Sequence, residues 1–499
     1  MRLARMKGQF ADDALSHWAA VRPESAVLLA GDKVLDYGTL NAEVDAMVAA
    51  LEHHGVGQGD HVGTLLENSP EMVIAALAIL RSGAVLVPIH PRYQPANIQH
   101  ILADAQVRLL VSRRDLAQRI AFEPVLDVSC LPTSQTVRPQ PTARRPADLG
   151  ILFYTSGSTG RPKGVMISHE SLMHGIDSVC TYLPMAEQDR LGAVLPLTFD
   201  AGLNFVLAGL QVGARIDLLK YIFPKSLADA VAARGITGML AVPQIFRALA
   251  ETGDATFPEM RFCASTGGRM DPGVIDALTS QMPGMRFWVM YGLTEAFRAT
   301  ALHPDDFAER RTSIGKPIPY AHVRILREDG SEAAPLEVGE IAQTGPLMGM
   351  GYWNSPELTA ERFFVLPSAF GDLPYDKAVR SGDLGWRDEE GFFHFGGRKD
   401  RMIKSKGFRI APDEIEKALH EHAGTGAVFV AGVEDPVHGQ RIVAFLETDG
   451  RTLPDDAALI TALRPHLASF MLPDEFRRVP RFPLSGNGKI DGASLLGTV

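Results

Sequence analysis

Cysteine is scarce: Cys130, Cys180 and Cys263 are the only three in 499 residues, and they show no paired or metal-like spacing. That excludes a disulfide-stapled scaffold and a cysteine zinc site, and suits buried thiols in a reducing cytoplasm. Long apolar runs are missing as well. Nowhere do about 18 apolar residues follow one another, and the opening MRLARMKGQFADDALSHWAAV has no apolar core of signal-peptide length. No membrane partner is expected, and the expected location is the cytoplasm. The chain also lacks a basic run that could neutralise several phosphates of a polymer. Lys+Arg 49 stand against Asp+Glu 59, a formal net charge of −10, so nucleic acid is not expected as a partner. Internal repeats and low-complexity tracts are not evident.

What is present is a core-forming composition, 46% hydrophobic and 22% charged, on a chain too long for one core, so two or more domains are expected. The first third has βαβ grammar. Leu40, Val44, Val48 and Leu51 mark one face of a helix that stops near Gly55, and a strand follows around Val62 to Leu66. Ser69 and Pro70 suit an N-cap and a first turn, Gly83 closes the helix, and an apolar run Ala84 to Pro88 comes next. Such alternation predicts a largely parallel sheet with helices on its faces. Pro132, Pro139, Pro141 and Pro146 mark an extended connection. Beyond Arg401 a small α+β unit is predicted, with helices from Pro412 and Asp455 and strands near Ala427 to Gly432 and Arg441 to Leu446.

The most informative segment is Tyr154-Thr-Ser-Gly-Ser-Thr-Gly-Arg-Pro-Lys-Gly-Val165, fed by the apolar triplet Ile151 to Phe153. Gly157, Gly160 and Gly164 let backbone N–H groups approach an anion, Thr155, Ser156, Ser158 and Thr159 carry hydroxyls, and Lys163 supplies a cation. The loop suits a polyphosphate. It is not a Walker A loop, because Pro162 precedes Lys163 and Gly164 follows it.

Here the chain resembles the adenylate-forming superfamily of acyl-CoA synthetases, amino-acid adenylation domains and luciferases, over roughly Tyr37 to Asp491. The resemblance implies an α/β fold: a large N-terminal domain of layered mixed sheets with helices (1–397), a hinge (398–402) and a small mobile α+β C-terminal domain (403–499). In Ser265-Thr-Gly-Gly268 and Met290-Tyr-Gly-Leu-Thr-Glu295 it assigns Thr266, Gly267, Gly268, Tyr291 and Gly292 to the adenine end of ATP. Thr294 goes to the α-phosphate and Glu295 to Mg²⁺. The chemistry agrees, since a carboxylate beside phosphate needs a hard cation between them. Asp383, in Arg380-Ser-Gly-Asp-Leu-Gly385, is implied to grip both ribose hydroxyls, with Arg398 nearby. Gly339-Glu-Ile and Gly349-Met-Gly-Tyr-Trp353 match a structural segment with no catalytic part implied.

Asp400 matches the pivot, and Gly407 a position on the thiol's path where a side chain would obstruct. Lys489, in Pro483-Leu-Ser-Gly-Asn-Gly-Lys-Ile-Asp491, resembles the adenylation lysine, whose ammonium offsets the repulsion of two meeting anions. Gly492 departs from the arginine or lysine usual there.

Phe199, Asp200, Asn204, Met290 and Arg298 fall at positions implied to line the acid pocket. Asp200, directly after Phe199, favours an amino acid, whose ammonium it would meet. Arg298 leaves a fork: paired with Asp200 it would neutralise the pocket, and free it would hold a second carboxylate or other polar group of the substrate. The implied activity is AMP-forming: ATP adenylates a small acid, expected to be an amino acid, and the acyl group moves to the phosphopantetheine of an acyl or peptidyl carrier protein. The alternative is a CoA ligase for a small or medium-chain acid. Both end in the same thiol, so the catalytic residues do not separate them.

Overall fold

The computed structural model describes residues 8–130, 143–156, 161–252, 256–371, 373–405, 408–423, 425–435, 439–484 and 490–497. The fold is α/β, and the described residues divide into two compact units: Met1–Val323 with Gln343–Val379, and Arg324–Ala342 with Arg380–Val499. The strand Phe393–Arg398, which precedes the expected hinge, therefore lies within the smaller unit.

In the larger unit one sheet carries parallel strands in the order Ala26–Ala30, Arg215–Leu218, Arg190–Ala193, Gly238–Ala241, Phe262–Ser265 and Arg286–Tyr291. Antiparallel strands flank them, Lys33–Asp36 at one end and Thr300–Leu302 with Ser313–Pro317 at the other. A second sheet runs Gly351–Tyr352, Pro162–Ser168, Leu149–Ser156, Val85–Ile89, His61–Leu65, Leu109–Ser112 and Val125–Asp127. The main core draws on both, joining Leu28, Leu191 and Ile216 of the first to Val62, Leu86 and Ile151 of the second.

The helices between them show why. Pro70–Ser82 starts on Ser69, whose hydroxyl accepts from the Met72 N–H at 3.3 Å, and ends on Gly83 at φ +77. Its buried residues include every position from Met72 to Leu80, so it is apolar all round and has no face for water. The helix Tyr37–His53, capped by Asp36 on the Thr39 N–H, instead buries the stripe Leu40, Val44, Met47, Val48 and Leu51.

The smaller unit has its own core. Helices Pro412–Ala423 and Asp456–Leu463 pack Ile415, Leu419, Leu459 and Leu463 on Val430, Ile442 and Ala444 of a sheet whose centre is Gly439–Glu447. These are the helices and strands expected beyond Arg401. Gly492 has a packing reason, since a Cβ there would lie 2.3 Å from the Phe429 ring.

Candidate functional site

In a parallel sheet every strand delivers its chain to the same edge, and ligands collect in the crevice at the carboxyl ends. Ala193, Ala241, Ser265 and Tyr291 close parallel neighbours of the first sheet, and the segments after them carry Phe199, Thr266 and Glu295. Ile89 closes a parallel strand of the second sheet and leads into His90. The two edges meet, because the His90 and Phe199 rings stack at 5.7 Å and 17°. His90 was not foreseen. It is 6% exposed, and burial, then the Arg92 charge, lowers its pKa to about 4, so it is neutral near pH 7.

The expected phosphate segment is a β-hairpin. Ser156 pairs with Pro162, Thr155 with Lys163 and Tyr154 with Gly164. Gly157, Ser158, Thr159, Gly160 and the Ser156 side chain lie outside the described residues. The arms are tied down: His100 Nε2 contacts the Pro162 carbonyl at 3.0 Å, the Trp353 N–H donates to the Gly164 carbonyl at 2.8 Å, and Tyr154 Oη donates to Asp104 at 2.5 Å. A Cβ on Gly164 would sit 3.0 Å from the Tyr154 ring, which would have to give way slightly.

After the strand Arg286–Tyr291 the chain makes a short turn, Thr294–Ala296, and doubles back through Phe297 at φ +54 so that the Ala299 N–H reaches the Tyr291 carbonyl at 2.9 Å. The reversal is tight. A Cβ on Gly292 would lie 2.4 Å from the Phe297 carbonyl oxygen, which only glycine avoids. Glu295 is held twice from the segment expected to be merely structural: the Gly349 N–H donates to its carbonyl at 2.7 Å, and the Tyr352 hydroxyl donates to its carboxylate. Tyr352 is 6% exposed, so this carboxylate has a fixed position. Among the described residues no three His, Cys, Asp or Glu side chains converge on a metal site. A Mg²⁺ at Glu295 would take its other ligands from phosphate and water, as that ion commonly does.

The residues expected to line the acid pocket follow two strands of the first sheet: Phe199, Asp200 and Asn204 come after Arg190–Ala193, and Met290 and Arg298 lie in or after Arg286–Tyr291. Asp200 opens the helix Asp200–Val212, where the helix dipole favours a negative charge, and Asn204 stands one turn along on the same face. Asn68 fixes the approach, donating to the Leu195 carbonyl at 2.8 Å and accepting from the Leu197 N–H at 2.9 Å. Met290 Sδ accepts from Tyr182 Oη at 2.9 Å, and burial, against the pull of Arg298, pushes that hydroxyl up to about 12. Arg298 is 2% exposed, and none of its guanidinium nitrogens has a hydrogen-bond partner among the described residues. The internal Asp200–Arg298 salt bridge therefore does not form. Asn204, 1% exposed, likewise has neither amide atom hydrogen-bonded.

Thr266 and Gly267 follow the strand Phe262–Ser265, with Gly267 at φ +82 and both Gly267 and Gly268 exposed. In the smaller unit Asp383 and Arg398 face each other across paired strands as an ion pair at 3.1 Å. The Asp400 side chain, Gly407 and Lys489 lie outside the described residues.

Comparison with known proteins agrees with this architecture. The family description "AMP-binding enzyme" matches residues 15–353, and "AMP-binding enzyme C-terminal domain" matches residues 414–489. The chain belongs to the AMP-binding enzyme family. Within it, the sulfoacetate–CoA ligase of Cupriavidus necator is 31% identical over 509 residues, covering 97% of each chain. Tyrocidine synthase 2 of Brevibacillus parabrevis is 30% identical over 482 residues, which are 95% of this chain but 13% of that protein's length. Among solved structures, o-succinylbenzoate coenzyme A synthetase from Bacillus subtilis in complex with ATP and magnesium ion matches with TM-score 0.85 and 25% identity, over 96% of this chain and 98% of that one. No described helix is long and apolar enough to cross a membrane.

Proposed function

We propose that the chain spends ATP to convert a small carboxylic acid into an acyl-adenylate and then passes the acyl group to a thiol. The observation that carries this is Glu295, whose carboxylate accepts from the Tyr352 hydroxyl and whose main-chain carbonyl accepts from the Gly349 N–H, at the carboxyl edge of a parallel sheet. A fixed carboxylate suits a divalent cation, which there would screen the phosphate charges.

In the first half-reaction an oxygen of the acid attacks the α-phosphorus, the bond to the bridging oxygen breaks, and pyrophosphate leaves with the electron pair. Thr294 and Lys163 hold phosphate oxygens, the 155–160 segment cradles them, and the Thr266–Gly268 loop with Tyr291 and Gly292 holds adenine. Asp383 grips the ribose, with Arg398 beside it. Lys489 bridges the two anions as they meet. In the second half-reaction the thiol loses its proton to solvent, its sulfur bonds to the carbonyl carbon, and AMP leaves. The small C-terminal domain swings about Asp400 between the halves, and Gly407 leaves the thiol's path clear.

The acid is proposed to be an amino acid with its ammonium toward Asp200, and the acceptor a carrier-protein phosphopantetheine. A second reading, a CoA ligase, is favoured by the match to sulfoacetate–CoA ligase over 97% of both chains. Pyrophosphate exchange into ATP across a panel of acids, followed by thioester formation with CoA or a carrier bearing phosphopantetheine, tests both. Failure of every acid to support exchange would refute the proposal. Lys489→Ala should abolish exchange yet keep thioester formation from supplied acyl-adenylate, and bulk at Gly407 should do the reverse.

A further inference from the structure

Arg298 presents a charge problem that the described residues do not solve. Its guanidinium is 2% exposed and its Nε, Nη1 and Nη2 atoms all lack hydrogen-bond partners. Burying such a cation is costly, and arginine cannot escape by losing its proton. The backbone around it is secured, since Gln343 Nε2 donates to the Arg298 carbonyl at 3.1 Å and to the Ala296 carbonyl at 3.4 Å. The fold thus fixes the residue and leaves its head unmatched. Asn204, with both amide atoms unmatched, lies by the residue before Arg298: a Cβ on Gly175 would lie 3.1 Å from Asn204 Nδ2 and 3.3 Å from the ring of Phe297. Asp200, the carboxylate expected as its partner, sits instead at a helix N-terminus that accommodates its charge.

We infer that Arg298 and Asn204 form a receptor for a second anionic group on the acid substrate, a carboxylate or sulfonate at the end remote from the carboxyl that is adenylated. This deepens the adenylation reading and rests on it. A planar guanidinium offers paired N–H donors that match an oxyanion in a fork, and Asn204 adds one more donor. The remote anion supplies the missing charge, and the two anionic ends orient the acid. The reacting carboxyl then points along the carboxyl edge toward Thr294 and Glu295, which precede the reversal at Phe297.

Matched pairs test this. Succinate and 3-sulfopropionate are compared with butyrate, aspartate with 2-aminobutyrate, and glutarate with valerate, in pyrophosphate exchange by the full chain. The dianionic member of a pair should have a kcat/KM about 100-fold higher, the effect of one charge-assisted contact pair. Arg298→Met should collapse that ratio to within a few-fold, losing on dianions and gaining on methyl-ended acids, and its melting temperature should hold or rise because an unpaired buried charge is gone. A wild-type preference for the methyl-ended acids, equal loss on both classes in Arg298→Met, or a sharp fall in its melting temperature would overturn the inference. Calorimetry separates the two readings. Saturable binding of succinate that Arg298→Met loses supports the anion receptor even when no acid drives exchange, and absence of both binding and exchange overturns the receptor.

Discussion

His169 links the protonation of one buried ring to the stability of the larger unit. It begins the helix His169–Tyr182, is 1% exposed, and neither ring nitrogen has a hydrogen-bond partner among the described residues. Phe10 meets it edge-on at 5.3 Å. Burial, then the charge of Arg144, lowers its pKa from 6.5 to about 4, against the opposing pull of Asp12 and Asp148. As pH falls, the unfolded chain takes up the proton first. The stability from a neutral His169 is therefore complete above pH 6.5, lost between about 6.5 and 4, and constant below. Between pH 7 and 5, above the range where most carboxylates titrate, the loss is about 2 kcal/mol. Urea unfolding of the larger unit's transition at pH 5, 6 and 7 measures it. His90, also lowered to about 4 by burial, adds a slope of the same sign, so the diagnostic is the difference between wild type and His169→Gln. That variant should remove about 2 kcal/mol of the pH dependence while keeping a neutral polar side chain of similar size. An unchanged slope would refute the assignment of a neutral, unpartnered imidazole at this position.

Tyr352→Phe removes the hydroxyl that fixes Glu295; kcat/KM for pyrophosphate exchange should fall about 10- to 100-fold and the Mg²⁺ concentration for half-maximal rate should rise, and an unchanged Mg²⁺ curve would count against the positioning role. In Gly202→Ala the new Cβ would lie 2.3 Å from the Pro196 carbonyl oxygen, so the start of the helix Asp200–Val212 must shift, costing about 1–3 kcal/mol in denaturant melts and weakening acid binding more than ATP binding. Ser69→Ala removes the cap from the buried helix Pro70–Ser82 and should cost about 1 kcal/mol with no change in acid selectivity.

Local signals foretold much of the fold. The cap Ser69, the proline after it and the left-handed Gly83 delimit a helix by rules that act over neighbouring residues, and the helices beginning at Pro412 and after the cap Asp455 follow the same logic. Local structure at the expected site was legible where a motif carries it, as with the strand that feeds the segment around Lys163. It was not legible where the partner is remote in the chain. Tyr352 lies 57 residues from the carboxylate it holds, and nothing in Gly349-Met-Gly-Tyr-Trp353 announces that contact. His90 and Phe199 are joined only because two sheets bring their carboxyl edges together.

The residues alone determined the α/β class and the family, because each depends on short-range geometry or on motifs in sequence. The tertiary structure decided that Arg298 and Asp200 do not pair. Whether a buried cation is matched depends on which groups surround it in space, and Asp200 is placed at a helix N-terminus while the guanidinium meets no carboxylate among the described residues. Charge pairing falls off over a few ångströms, so it is settled by packing and cannot be read from the order of the residues.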